Sequence, residues 1–270
     1  MSKYEAIFIW ITLGSYSGSF LLYLGGLVFK RQWMTRWGFI FLVIGFICHT
    51  GAILDRWRAT GHLPVMRTYE NSLTGTWFMV CIYLVMRRVF PLSKPFGIAV
   101  VPIALLVLGN GLFDVEPLQP LEPPYKSGWL YVHVLFAWFA FGSYVSAFSA
   151  GVMYLLRARA TRGVLSRLPD LKLLDELSLR LILFGFFSEA IMIGSGAIWA
   201  HGLWGRYWAW DPVETWSLIS WLTYGLNLHL RITLGWRGKR AAWLAIGSLF
   251  GVLFLFFGLG YVSKVHTSIF

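Results

Sequence analysis

The residues best suited to chemistry lie in one stretch, WAHGLWGRYWAWDPVETWSLISW, residues 199–221. It holds six of the fifteen tryptophans: Trp199, Trp204, Trp208, Trp210, Trp216 and Trp221. Indole rings set beside Gly202, Gly205 and Pro212 offer a flat, apolar, water-excluding shelf, suited to a large planar aromatic ligand. Arg206, Asp211 and Glu214 are the few polar groups there that would orient one. Tryptophan also gathers at the head-group level of membranes as an interfacial belt. A belt spreads over all helix ends, whereas these rings concentrate in a single segment, which favours a ligand surface. Asp211-Pro212 followed by Glu214 reads in addition as a helix start, with Asp211 as N-cap and Glu214 at the third helical position. That role is compatible with ligand contact and weighs against Asp211 as a catalytic group.

The elements that must position this stretch are membrane spans. Of 270 residues, 57% are hydrophobic and 13% charged, too apolar and too weakly charged for a water-soluble domain. The chain is predicted to be an all-α polytopic membrane protein, a single integral membrane domain over residues 1–270. A helical span needs about 20 apolar residues. Eight stretches qualify, at 6–29, 37–54, 72–86, 96–113, 129–156, 179–199, 217–235 and 241–262. Lys and Arg collect on the cytoplasmic side, and sixteen of the 23 fall on one side of this alternation against seven on the other. Both termini, the loops 55–71 and 114–128, and the Trp-rich loop then face outward. The net charge of +11 follows from this bias and from attraction to anionic membrane lipid, and nucleic acid is not an expected partner. The first span lacks a cleavage pattern and is read as uncleaved. Residues 157–178 alternate leucines with charges at helical spacing and predict a cytoplasmic amphipathic helix.

With spans placed, the six histidines, His49, His62, His133, His201, His229 and His266, can be sorted by depth. His133, at the outer mouth of span five, and His266, just beyond span eight, share a side with the Trp-rich loop. Neutral imidazole is a good iron ligand, and a porphyrin lying on the tryptophan shelf would take one axial histidine from each face. His229 lies inside span seven near its cytoplasmic end, where an ionisable residue is a functional candidate by default. Its partner is not evident within the chain. His49 and His62 read as structural, and His201 is left unassigned. Glu189, within span six, either pairs with another span or lines a ligand route. Cys48 and Cys81 sit singly in apolar runs and read as buried thiols. No Ser-His-Asp set, metal-carboxylate cluster or phosphate loop is visible, and the catalytic residues are unassigned.

WGRYWAWDPVETWSLI, residues 204–219, resembles the tryptophan-rich "WWD" signature of heme-handling proteins of cytochrome c maturation, specifically the CcsA (ResC) branch of the System II cytochrome c synthetase. The resemblance covers nearly the whole chain. HTGAILDRWRATGHLPVMRTYENS, residues 49–72, is similar to the family's outward loop. WLYVHVLFAWFAFGSY, residues 129–144, resembles the segment bearing the first external histidine, and LNLHLR, residues 226–231, and His266 match the other two in order.

The resemblance implies that His133 and His266 are axial ligands of heme b held at the external surface. Trp204, Trp208, Trp210, Asp211 and Trp216 would form that surface, the segment 199–221 being the heme-binding part. It implies that His229 is one ligand of a heme within the membrane, the other coming from a CcsB (ResB) partner. Heme would pass to the outer face and be joined by thioether bonds to the Cys-x-x-Cys-His motif of an apocytochrome c. The chain would then be a cytochrome c heme-lyase subunit, multi-pass in a bacterial inner membrane with its active site on the periplasmic face, or in a thylakoid membrane. Tyr69 and Glu70 would orient heme propionates or close a loop over the site. The main alternative is a heme exporter or carrier that presents heme without forming the bond. A cytochrome b anchor predicts histidine pairs on one helix, which are missing, and a third reading is a noncatalytic membrane scaffold whose Trp-rich loop merely packs at the interface.

Overall fold

A computed structural model describes residues 1–90, 95–115, 117–160 and 162–254. Its described residues form eight α-helices and no strands: α1 (Lys3–Phe29), α2 (Gln32–Thr60), α3 (Thr68–Val89), α4 (Gly97–Leu112), α5 (Gly128–Arg159), α6 (Leu171–Trp204), α7 (Pro212–Ile232) and α8 (Lys239–Leu253). Each coincides with a stretch expected to span. By length and apolar composition α1, α2, α5 and α6 are able to cross a membrane, and α4 is apolar but shorter. Large apolar side chains point outward on these helices, Trp10 at 69% and Phe187 at 63% exposure among them. Such outward apolar surface is stable against lipid, not against water.

Local sequence sets the helix ends. The α1 start is a capping box in which the Glu5 amide donates to Ser2 Oγ at 3.0 Å and the Ser2 amide donates to Glu5 Oε2 at 3.1 Å. Ser127 and Asp170 cap α5 and α6 in the simpler way, each accepting from a backbone amide. These helices therefore begin where Ser and Asp can satisfy amides that lack a carbonyl partner.

One expectation is corrected. Residues 157–178 are not one amphipathic helix. The helix α5 runs to Arg159, Leu165–Arg167 form a single 3-10 turn, and α6 begins at Leu171. Gly163 at φ +87° and Pro169 break the run, the first by turning the backbone left-handed and the second by withholding a helical N–H. The leucines keep their helical spacing in the sequence, but the backbone between them does not hold it.

Where the sequence predicts one membrane domain, the chain divides into two compact units, Met1–Pro123 and Pro124–Phe270. In the first, Ile9, Ala52, Tyr69, Leu73 and Leu108 bring α1 to α4 to a common core, and Gly45 of α2 lies under the Tyr16 ring of α1, where a methyl would sit 2.6 Å from a ring carbon. In the second, α5 packs along α6 and α8, and α7 packs against α6 and α8. Small residues allow this close approach of backbones, the usual device of helices packing in lipid.

Candidate functional site

The Trp-rich stretch is mostly helix. Gly205, at φ +69°, ends α6 by accepting a left-handed backbone, its N–H donating to His201 O, and Asp211 caps α7 seven residues after Trp204. Asp211 Oδ1 accepts from the Glu214 amide at 2.9 Å, and Glu214 Oε2 accepts from the Ala209 amide at 2.7 Å. The helix start read from Asp211, Pro212 and Glu214 is therefore present, and both carboxylates brace the loop 205–211. Between these clamps Trp210 has φ +59°, a backbone state that bulky residues rarely adopt, and its ring stands 70% exposed.

The six tryptophans divide by role. Trp199 is buried, its ring 6.2 Å from the His133 ring and 6.3 Å from Tyr125. Trp221 stacks on Phe186 at 4.8 Å and donates to its carbonyl. These two are packing residues. Trp204 is 38% exposed, Trp208 meets Trp210 edge-on at 5.7 Å, and Trp216 contacts Phe254 at 4.6 Å. Trp208 keeps its indole Nε1 buried with no hydrogen-bond partner among the described residues. Trp208 and Trp210 thus lie on the braced loop, with Trp204 and Trp216 on the helices at its two ends.

His133 stands in the second turn of α5, half-buried. Its Nδ1 lies 2.9 Å from Met192 O on α6, and a carbonyl can only accept, so Nδ1 carries the proton and Nε2 is the unprotonated nitrogen of the neutral ring. Gly196 makes the room: a Cβ there would come within 2.7 Å of Nδ1. His229 is exposed on α7, its Nδ1 3.3 Å from Thr233 Oγ1. Along α7 it lies about 27 Å from Asp211, so the two residues stand at opposite ends of this helix. His266 lies outside the described residues. Among those described, no three His, Cys, Asp or Glu side chains gather as a metal-binding group.

The other histidines are held. His49 is fully buried between Tyr16 OH and Leu73 O, and His62 faces the carbonyls of Leu63 and Gln119. His201 stacks on Tyr207 at 4.2 Å beside the Trp-rich loop. In the first unit, sequence reasoning missed a buried ionic cluster. Arg56 Nε donates to Glu70 Oε1 at 2.8 Å, its Nη1 lies 3.5 Å from Glu5 Oε1, and Tyr69 OH donates to the same Glu5 oxygen at 2.8 Å. Ser2 Oγ donates to Asp55, and Glu70 Oε2 also accepts from the Met66 amide, pinning the loop between α2 and α3. In the sequence Arg56 reads only as a loop charge; the signal of its burial is Glu5 and Glu70 at the matching ends of neighbouring helices. Glu189, the buried acid of α6, accepts from Tyr144 OH of α5 at 2.7 Å.

Long apolar helices, four of them able to cross a membrane, leading to a braced, tryptophan-rich loop define the class as a helical membrane protein. A family profile described as "Cytochrome C assembly protein" matches residues 66–266, and the chain belongs to that family. It is 33% identical over 240 residues to the cytochrome c biogenesis protein CcsA of Synechococcus sp. (strain RCC307), covering 78% of this chain and 77% of that one. Against CcsA of Guillardia theta it is 31% identical over 274 residues, 91% and 90% of the two chains. Against CcsA of Chlamydomonas reinhardtii it is 32% identical over 219 residues and spans 62% of that protein's length. A solved structure titled "Cytochrome c Heme Lyase CcmF" has the same fold, with TM-score 0.70 at 18% identity over 98% of this chain and 52% of the longer one.

Proposed function

We propose that this chain acts in cytochrome c biogenesis as the heme-handling subunit of a cytochrome c heme lyase. Heme b, its substrate, moves to the outer face of the membrane and is joined there to the cysteines of an apocytochrome c. The observation that carries this reading is His133. Its Nδ1 donates to Met192 O, which fixes the neutral tautomer whose basic nitrogen is Nε2, and its ring lies 6.2 Å from that of Trp199 on α6. A backbone-anchored imidazole of this kind is how proteins orient an axial ligand. Around it, Trp204, Trp208, Trp210 and Trp216 supply apolar area, and the Trp208 Nε1–H is a donor suited to a propionate. Asp211 contributes by bracing the loop.

His266 completes the axial pair in this reading. His229, exposed on α7, takes a second heme whose other ligand comes from a CcsB/ResB-type subunit. The exposure of His229 supports that assignment, because a ligand shared with another chain must face outward.

The joining step asks mainly for position. Each thiol S–H adds across a heme vinyl C=C, sulfur to one carbon and hydrogen to the other, so a thioether forms with no net redox change. Holding the vinyl against the sulfur makes the step intramolecular, which in well-oriented systems lowers a barrier by about 7–11 kcal/mol. Co-expression with a CcsB-type partner and an apocytochrome c reporter, in a host lacking its own maturation system, tests the reading. Covalent cytochrome c on a heme-stained gel that disappears with His133→Ala supports it. A heme-loaded complex that yields no covalent product makes the chain a carrier, and heme loading unchanged by His133→Ala rejects the site.

A further inference from the structure

The buried face of α7 carries polar side chains at intervals of three and four, Ser220, Tyr224, Asn227 and Arg231, each 2% exposed or less. The run spans about 16 Å inside the second unit. Four of its atoms are buried with no hydrogen-bond partner among the described residues: Ser220 Oγ, Tyr224 OH, Asn227 Oδ1 and Arg231 Nε. Turning the Asn227 amide does not remove the vacancy, because Ser248 Oγ, 3.4 Å from Nδ2, is its single partner there. Elsewhere on this face polarity is matched with care. Arg231 Nη2 donates to the Asp175 carbonyl at 2.7 Å and to Asp175 Oδ1 at 3.0 Å.

Four adjacent unsatisfied groups on one line are not an incidental defect. Each unpaired polar atom in a dry interior costs about 1–3 kcal/mol, and internal water is the ordinary remedy where several polar groups converge. At the upper end of the line lies Glu189, with Tyr144 OH donating to it and the Tyr144 ring stacked on Tyr224 at 3.4 Å. At the lower end Asp175 also meets Arg237, at 3.7 Å, and the 58% exposed Arg237 side chain reaches solvent. Tyr144 of α5 and Tyr224 of α7 are the titratable groups facing Glu189, and α8 contributes no ionisable side chain between Arg240 and its end.

We propose that this face of α7 holds a chain of internal waters, and that the chain gives the Glu189 carboxyl proton exchange with the aqueous phase at the Asp175 end of the unit. A proton entering there passes between waters beside Arg231, Asn227 and Tyr224 and ends on a Glu189 oxygen; the reverse path releases it, and no other bond changes. Asp175 offsets the Arg231 charge that would otherwise repel it. The inference does not depend on the heme reading.

Radiolytic hydroxyl labelling of the full chain in lipid nanodiscs, read by mass spectrometry, tests the water. Tyr144 and Tyr224 are expected to be modified severalfold faster than Tyr16 and Tyr69, which are equally buried in the first unit. Asn227→Leu, or Asn227→Met if the leucine variant does not fold, should bring them down to the Tyr16 rate. The infrared C=O band of the protonated carboxyl, assigned as the band lost in Glu189→Gln, tests the proton. Its shift on transfer to heavy water should be rapid in the native chain and slowed severalfold in the Asn227 variant. Labelling of Tyr224 no faster than Tyr16, absence of a Glu189 band at every pH where the protein stays folded, or a shift unaffected by the Asn227 variant would each overturn the proposal.

Discussion

His133 and His49 are both imidazoles within helices, yet the structure gives them opposite consequences. Both His49 nitrogens are occupied inside the first unit, by Tyr16 OH and Leu73 O, whereas His133 is tied through Nδ1 to a backbone carbonyl of the neighbouring helix and is the proposed heme ligand. His133→Ala is expected to lower heme retained on purification at least about tenfold while leaving thermal unfolding nearly unchanged. His49→Ala should do the reverse, retaining heme and lowering the unfolding temperature. Trp210 makes a second contrast. Relief of its left-handed backbone by Trp210→Gly should stabilise the loop by about 1 kcal/mol but reduce heme retention, a split readable by calorimetry and absorbance on one preparation. Asp211 and Glu214 were legible as a helix start because capping chemistry is local. The strain at Trp210 was not, since it arises from two clamps on either side of that residue.

At the scale of elements, Gly196 on α6 is the companion of His133 on α5. A methyl at Gly196 would press on Nδ1 from 2.7 Å, so Gly196→Ala should turn the imidazole and weaken heme binding about tenfold with helical content intact by circular dichroism. The α2–α3 connection depends instead on charge. With Arg56 2% exposed and Glu5 fully buried, Arg56→Met leaves two carboxylates without their cation and should destabilise by about 3–5 kcal/mol, measured as a fall in unfolding temperature. Hydropathy located the helices but not these contacts: Arg56 and Glu70 lie fourteen residues apart, and only the turn between α2 and α3 makes them neighbours. The 157–178 stretch fails in the opposite way, because its periodic leucines run through Gly163 and Pro169, whose backbone preferences outweigh the pattern.

For the whole molecule, composition was enough to predict a helical membrane protein, since the surface lipid covers and the charge it excludes are summed properties. Division into two compact units was not legible, because the Pro123-Pro124 crossing reads like any other loop. The charge asymmetry makes a test of sidedness. In a chain carrying Cys48→Ala and Cys81→Ala, the added changes Leu118→Cys and Arg206→Cys, each made singly, should react with an impermeant maleimide in intact cells, and Arg162→Cys only after lysis. Reaction of the Arg162→Cys chain in intact cells would invert the topology.

The helix α7 begins two residues after strained Trp210 and ends three residues after His229. It is therefore a single stiff rod joining the Trp-rich loop to the exposed His229, the proposed contact with a partner subunit. A tilt of about 10° imposed at the His229 end by an approaching subunit would sweep the Trp210 end through about 5 Å, given about 1.5 Å of rise per residue. If the proposed subunit docks there, its arrival at one end of the helix is thus mechanically geared to the setting of the Trp-rich loop at the other.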